Sequence, residues 1–122
     1  ARGQIGRTYP WGEQAPSSVY DSLGELTSPL ETRSQNSGVT ATGIHHLAGN
    51  VAEWVSDSWR PNYRPETIET SFRVIRGGSW LSKLHELRAS ARNYHNPDRG
   101  ANHIGFRCAR DIPITEDKPP ED

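Results

Sequence analysis

A chain of 122 residues with a formal charge of −1, a 32% hydrophobic fraction, 11 glycines and 9 prolines is one small domain or part of one. No stretch approaches the ~20 apolar residues of a membrane span, glycine or proline interrupts every window that a coiled coil or helical bundle would need, and no Lys/Arg cluster marks a nucleic-acid binder. Cys108 is the single cysteine, which excludes a disulfide framework within the chain.

The first residue is Ala1, and no charged segment followed by an apolar one marks a signal peptide, so a processed or truncated chain is expected. The core is expected to be lean and largely aromatic, built from Tyr9, Trp11, Trp54, Trp59, Phe72, Trp80, Tyr94 and Phe106. A metal, a partner chain or further sequence would then have to complete it.

Residues 1–42 read as loop, punctuated by Pro10, Gly12, Pro16, Gly24, Pro29 and Gly38, with room for a helical turn or two only at Ser18–Leu26. Gly43 to Trp59 is the first dense apolar block. Its residues Leu47, Val51, Trp54 and Val55 follow helical or tight-turn spacing. Arg60 to Ser71 reads as loop around Pro61 and Pro65. Phe72 to Ile75 is a short β-rich run that stops at Gly77-Gly78. Leu87, Ala89 and Ala91 alternate with Arg88, Ser90 and Arg92, the period of a strand.

Asn96-Pro97-Asp98-Arg99-Gly100 is turn chemistry, with Pro97 fixing φ and Gly100 permitting a positive one. Ile104, Phe106 and Cys108 alternate with Gly105, Arg107 and Ala109 and read as a final strand, with Cys108 facing inward as a small buried hydrophobe. Residues 112–122 form an acidic, proline-containing tail, expected to be disordered. The class is α+β: an irregular, loop-rich first part and a small antiparallel sheet.

Four blocks stand in order along the chain. They are Tyr9-Pro10-Trp11-Gly12, the run from Gly43 to Trp54 containing Gly49-Asn50-Val51-Ala52-Glu53-Trp54, Arg73-Val74-Ile75-Arg76-Gly77-Gly78-Ser79-Trp80, and Gly105-Phe106-Arg107-Cys108-Ala109. Together they resemble the sulfatase-modifying-factor family, also called the formylglycine-generating-enzyme domain. The resemblance implies a C-type-lectin-like fold and spans residues 8–111. The family's domain is about twice this long, so residues 1–111 resemble a partial domain, its C-terminal half. Trp54 and Trp80 are expected to be substantially buried, because the two most family-like blocks end on them.

The family includes copper-dependent oxidases that make formylglycine, sulfoxide synthases of ergothioneine biosynthesis, and ligand-binding proteins diversified in this same C-terminal segment. The oxidases need two cysteines after the Gly-Gly-Ser-aromatic block, since copper(I) prefers soft thiolates. This chain has Leu81-Ser82-Lys83-Leu84-His85-Glu86-Leu87 there, with Ser82 where the first cysteine is expected. Ala52 stands where the family usually has Trp, and His103 where the oxidases commonly have Asn. The synthase iron site lies in a separate helical domain, and His45, His46, His85, His95 and His103 form no local ligand motif. No catalytic residue is assigned.

The resemblance also implies a calcium loop, in which the Gly49 and Val51 carbonyls, the Glu53 carboxylate and the position of His46 would be ligands. Calcium takes six to eight hard oxygens, for which imidazole is a poor substitute. The alternative is that Glu53 holds the loop by hydrogen bonds without metal. A second candidate is a ligand surface of Asn93, Tyr94, His95, Asn96, Asp98, Arg99, Asn102 and His103, polar and aromatic residues on turn-forming sequence. Arg73, Arg76, Arg88, Arg92, Arg107 and Arg110 flank the strands and are expected to pair with acids and cap loop carbonyls.

The expected function is a non-catalytic binding or assembly module acting with another chain or larger complex, with no nucleic-acid partner. Two alternatives stand beside it: an atypical or split enzyme of the same family, and glycan binding by analogy with the lectins of the fold. The resemblance slightly favours an extracytoplasmic location.

Overall fold

The computed structural model describes residues 3, 5–16, 27–33, 38–64 and 66–111. The Ser18–Leu26 segment and the 112–122 tail lie outside the described residues. Four short strands form one sheet: β1 (Ala52–Ser58), β2 (Arg73–Arg76), β3 (Asn93–His95) and β4 (Ile104–Gly105), in the spatial order β3-β2-β1-β4. β2 is antiparallel to both neighbours, with Trp54 opposite Ile75 and Val74 opposite Tyr94. β4 joins parallel to β1, pairing Ile104 with Ala52 and Gly105 with Glu53. Gly105 fits there because a Cβ would stand 3.1 Å from Cγ2 of Val51.

β2 forms where the β-branched pair Val74-Ile75 reads as strand and stops at Gly77-Gly78, both at positive φ. The block before it differs from the sequence reading. Leu47, Val51, Trp54 and Val55 have helical or tight-turn spacing; the chain does turn before Ala52, yet Ala52–Ser58 is a strand. His46, Gly49 and Asn50 have φ of 52°, 83° and 62°, which breaks any helix before it can propagate.

The alternation over Leu87–Arg92 is likewise not a strand: Leu84–Leu87 is a 3-10 helix, followed by irregular chain. Local bonds close this segment. The Glu86 carboxylate accepts the Lys83 N–H at 2.7 Å, and Arg88 Nε donates to the His85 carbonyl at 3.0 Å. The Ala89 N–H is given to the Thr8 carbonyl, not to the sheet.

Asn93–His95 is a strand before the turn begins. Asn96 then accepts the Arg99 N–H at 3.1 Å, as expected of that turn, but Gly100 does not take a positive φ. The last strand ends at Gly105, and Cys108 is exposed instead of facing inward.

The core is small and aliphatic. Among the described residues Ala48, Ala52, Val74, Ile75 and Leu87 are its buried apolar side chains, joined by Pro10. The aromatic core is not observed: Phe72 and Tyr94 are exposed, and Phe106 is 79% exposed. Trp54 and Trp80 are intermediate, neither fully buried nor exposed. The reason lies in how closely the backbone segments approach. A Cβ on Gly77 would stand 2.8 Å from the Leu47 carbonyl oxygen, and one on Gly78 would stand 2.8 Å from Leu87 Cδ2. Small aliphatic groups fill so narrow a gap; rings do not, and they pair at its margins instead. Tyr9 stacks on Trp11 at 5.2 Å, and Tyr94 meets Trp59 at 4.7 Å and Phe72 at 5.2 Å.

The arginines behave as expected of carbonyl caps. Arg76 Nη1 reaches the Ser90 and Ala91 carbonyls, Arg92 Nη2 the Arg60 and Pro61 carbonyls, and Arg73 the Ser56 carbonyl and Ser58 hydroxyl. Among the described residues no helix is long and apolar enough to cross a membrane.

Candidate functional site

A groove of about 530 Å³ lies over one face of the sheet. Ala52 and Ile75 form its floor, the Ser79–Ser82 turn and His85 one wall, and Asn93 and His103 the other. The floor is set by strand register, since Ile75 pairs with Asn93 across β2 and β3. The wall is set by the two glycines, after which the chain turns sharply. Ser79 is 2% exposed. Its N–H donates to Ser82 Oγ at 3.0 Å, its hydroxyl accepts the Leu81 N–H at 3.2 Å, and its carbonyl accepts the Ser82 N–H at 2.9 Å. Both hydroxyls thus hold the turn. No hydrogen bond among the described residues joins either of them to a histidine or a carboxylate, the arrangement that activates a serine.

The predicted ligand surface divides. Asn93 and His103 line the groove. His95 lies beside it, packed edge-on against Trp54 at 5.9 Å and His103 at 6.4 Å. Tyr94 points to the opposite face with Trp59 and Phe72, as alternation along β3 requires. Asn96 builds the turn, its Oδ1 accepting the Asp98 N–H at 2.9 Å. Asp98, Arg99 and Asn102 are exposed and do not line the groove. Sequence reasoning left His85, Ala52 and Ile75 without a site role. The Gly77-Gly78 pair is the signal that could have brought them in, because it announces a close backbone approach.

The loop singled out for calcium leads into β1 and meets the turn that walls the groove. The Gly49 N–H donates to the Gly77 carbonyl at 2.8 Å, and the Trp80 N–H to the Asn50 carbonyl at 2.8 Å. The Asn50 side chain clamps Leu30, accepting its N–H at 2.7 Å and donating to its carbonyl at 3.2 Å. The Glu53 carboxylate is engaged by Arg107, whose Nε lies 3.0 Å from both carboxylate oxygens and whose Nη2 lies 2.6 Å from Oε1. The same Nη2 donates to the His45 carbonyl at 2.9 Å and the His46 carbonyl at 3.3 Å.

His46 is 8% exposed, and its Nε2 has no hydrogen-bond partner. Burial, then the neighbouring His45, lower its pKa; a hydrogen bond to the Glu31 backbone opposes them, Arg107 lowers it further, and Glu53 opposes. As a calcium set these residues do not fit. One side chain is an imidazole, the carboxylate is already bound to a guanidinium, and two carbonyls remain where six to eight oxygens are needed. Among the described residues no group of three or more His, Cys, Asp or Glu could hold a metal ion.

The segments that build the groove and the loop fall within one continuous match. Residues 1–112 match the family described as Sulfatase-modifying factor enzyme 1-like domain. The chain belongs to that family.

Hercynine oxygenase of Mycobacterium tuberculosis is 34% identical, over 87% of this chain and 28% of its own length. Formylglycine-generating enzyme of Streptomyces coelicolor is 33% identical, over 94% of this chain and 44% of its own. Serine/threonine-protein kinase Pkn1 of Chlamydia trachomatis is 32% identical, over 90% of this chain and 19% of its own. The chain therefore spans less than half the length of each of these relatives. Among solved structures, Treponema denticola variable protein 1 superposes with a TM-score of 0.57 at 22% identity, covering 87% of this chain and 37% of that one, a likeness of fold.

Within the sulfatase-modifying factor framework the groove is notable for its chemistry. Ser82 lines it where the oxidase pattern expects a thiol, and Cys108 does not. Cys108 is exposed in the segment after β4.

Proposed function

We propose that this chain is a non-catalytic binding or assembly module of the sulfatase-modifying factor family, and that the groove between the Ser79–Ser82 turn and the Asn93 and His103 side chains takes its ligand. One observation carries the reading: the groove is lined by hydroxyls already committed to the turn and by no thiol. A hydroxyl that accepts a backbone N–H and, among the described residues, is hydrogen-bonded to no histidine or carboxylate is neither a soft copper ligand nor an activated nucleophile. The module acts with another chain or a larger complex. Its lean aliphatic core and the exposure of Phe106 and Tyr63, at 79% and 72%, support that reading.

The test has two arms. The purified chain is incubated aerobically with copper and a cysteine-bearing sulfatase-type peptide, or with iron, hercynine and a thiol, and products are read by mass spectrometry. No formylglycine and no sulfoxide are expected; either product overturns the reading. In the second arm, amide shifts are followed against a fragment library, and changes should gather at Ile75, Ser79, His85, Asn93 and His103. Changes gathered elsewhere remove the groove from the proposal. An atypical or split enzyme is the second reading. It is favoured by enzymes standing among the relatives at 33–34% identity, and product formed only when a further chain is added would establish it.

A further inference from the structure

We infer that the cation at the Gly49–Glu53 loop is the chain's own Arg107 guanidinium, so that the loop is held, and the groove beside it formed, without calcium. A metal ion in such a loop neutralises the carboxylate and gathers backbone carbonyls that would otherwise repel one another. Arg107 does both. Its charge lies against both oxygens of Glu53, and its Nη2 reaches two successive carbonyls, those of His45 and His46. Contacts of this kind, charged on both sides and forked, are the strong class of hydrogen bond. Glu53 is enclosed, at 17% side-chain exposure, so its charge has little water to share.

The substitution at the remaining position agrees. A carboxylate at His46 would add a second negative charge for which one guanidinium could not account. The imidazole there is buried and brings no carboxylate, so one carboxylate still faces one guanidinium.

The clamp also reaches the groove. Glu53 pairs with Gly105 in the sheet, and the Ala52 N–H donates to the His103 carbonyl at 2.9 Å. Tying Arg107 to Glu53 thus seats β4 against β1 and fixes the backbone from which the His103 ring lines the groove. The consequence goes beyond the proposed binding role: whatever the groove takes, it takes in the absence of calcium.

The experiment compares thermal melts of the whole chain in calcium chloride and in EGTA, for wild type and Arg107→Gln. The wild-type midpoint should be the same in both buffers, while Arg107→Gln should melt lower by roughly 5–10 °C in both. A wild-type midpoint that falls on chelation overturns the inference, as does an Arg107→Gln midpoint equal to wild type. Terbium luminescence on the wild-type protein, sensitised by its tryptophans, covers the case in which the variant does not fold. No emission above free terbium is expected, and saturable emission displaced by calcium would sink the idea independently of any variant.

Discussion

The chain closes its loops in two different ways on the two sides of β1. On one side, the 46–54 segment meets the 77–80 segment through backbone. Gly49 donates to Gly77, Trp80 donates to Asn50, and the two facing turns depend on positive φ at Gly49, Asn50 and Gly77. On the other side, the 59–72 connection is gathered by side chains. The Arg92 guanidinium lies 4.4 Å over the Trp59 ring and 4.2 Å over the Tyr63 ring while capping the Arg60 and Pro61 carbonyls, and Arg60 pairs with Glu69. The backbone-to-backbone bonds of this connection are those at the base, where Trp59 donates to Phe72 and Thr70 to Trp59, and one local turn in which Thr67 donates to Arg64. The first closure has fixed geometry and no room for a Cβ. The second is a stack of adaptable side chains at the surface. One side should therefore break at a single methyl group, and the other should yield by only about 1 kcal/mol.

Gly77→Ala is the sharpest test of that contrast. The residue sits at φ 86°, and its new Cβ would stand 2.8 Å from the Leu47 carbonyl oxygen. Left-handed strain, together with displacement of the Gly49 hydrogen bond, should cost about 3 kcal/mol. Urea denaturation measures it. A loss below about 0.5 kcal/mol would mean that the junction can relax, and the comparison would lose its first half.

The same contrast explains which parts were legible in the sequence. β2 and the turn at Asn96 were readable because their signals are local: a β-branched pair stopped by two glycines, and an Asn-Pro-Asp run. β1 was not, because the apolar spacing of Leu47, Val51 and Trp54 fits a helix equally well, and the positive φ of His46 and Asn50 leaves no mark in composition. Of the candidate site, Asn93 and His103 stand together on the groove, but Tyr94 does not. Strand alternation sends it to the other face, which could be foreseen only once 93–95 was known to be a strand. The Arg107–Glu53 clamp joins residues 54 positions apart, and no local pattern announces such a pair. The aromatic residues misled for a physical reason. Large rings predict burial only when the surroundings leave space for them, and at Gly77 and Gly78 even a Cβ would stand 2.8 Å from a neighbour.

Arg92→Lys sharpens the second half. Lysine keeps the charge and the aliphatic stem but loses the planar face that lies between Trp59 and Tyr63 and the fork that reaches two carbonyls. The expected loss is about 1 kcal/mol, read by the same urea titration. A loss equal to that of Gly77→Ala would show that the side-chain closure is as unforgiving as the backbone one. Nitrogen relaxation or hydrogen exchange over 60–64 should also rise in this variant while 46–54 stays protected, since the two closures are built from different segments.

The smallest expected effect comes from pH, and it belongs to the backbone side. Burial, the neighbouring His45 and Arg107 hold the His46 pKa below its ordinary value of 6.5, against the Glu31 backbone bond and Glu53, which raise it. The folded state thus binds the proton less readily than the unfolded chain, and stability must rise with pH where the two differ. The contribution of a neutral His46 is complete above pH 6.5 and is lost as pH falls below 6.5 through the folded pKa. Because the Nε2 has no partner, only the Glu31 backbone bond and Glu53 offset the buried charge that protonation places near Arg107. Unfolding free energies measured between about pH 5 and 8 should fall toward the acid end in the wild type and be flatter in His46→Gln. A wild-type curve with no acid-side slope would mean that the imidazole is solvated in the folded chain, and that this junction is held less tightly than its backbone bonds imply.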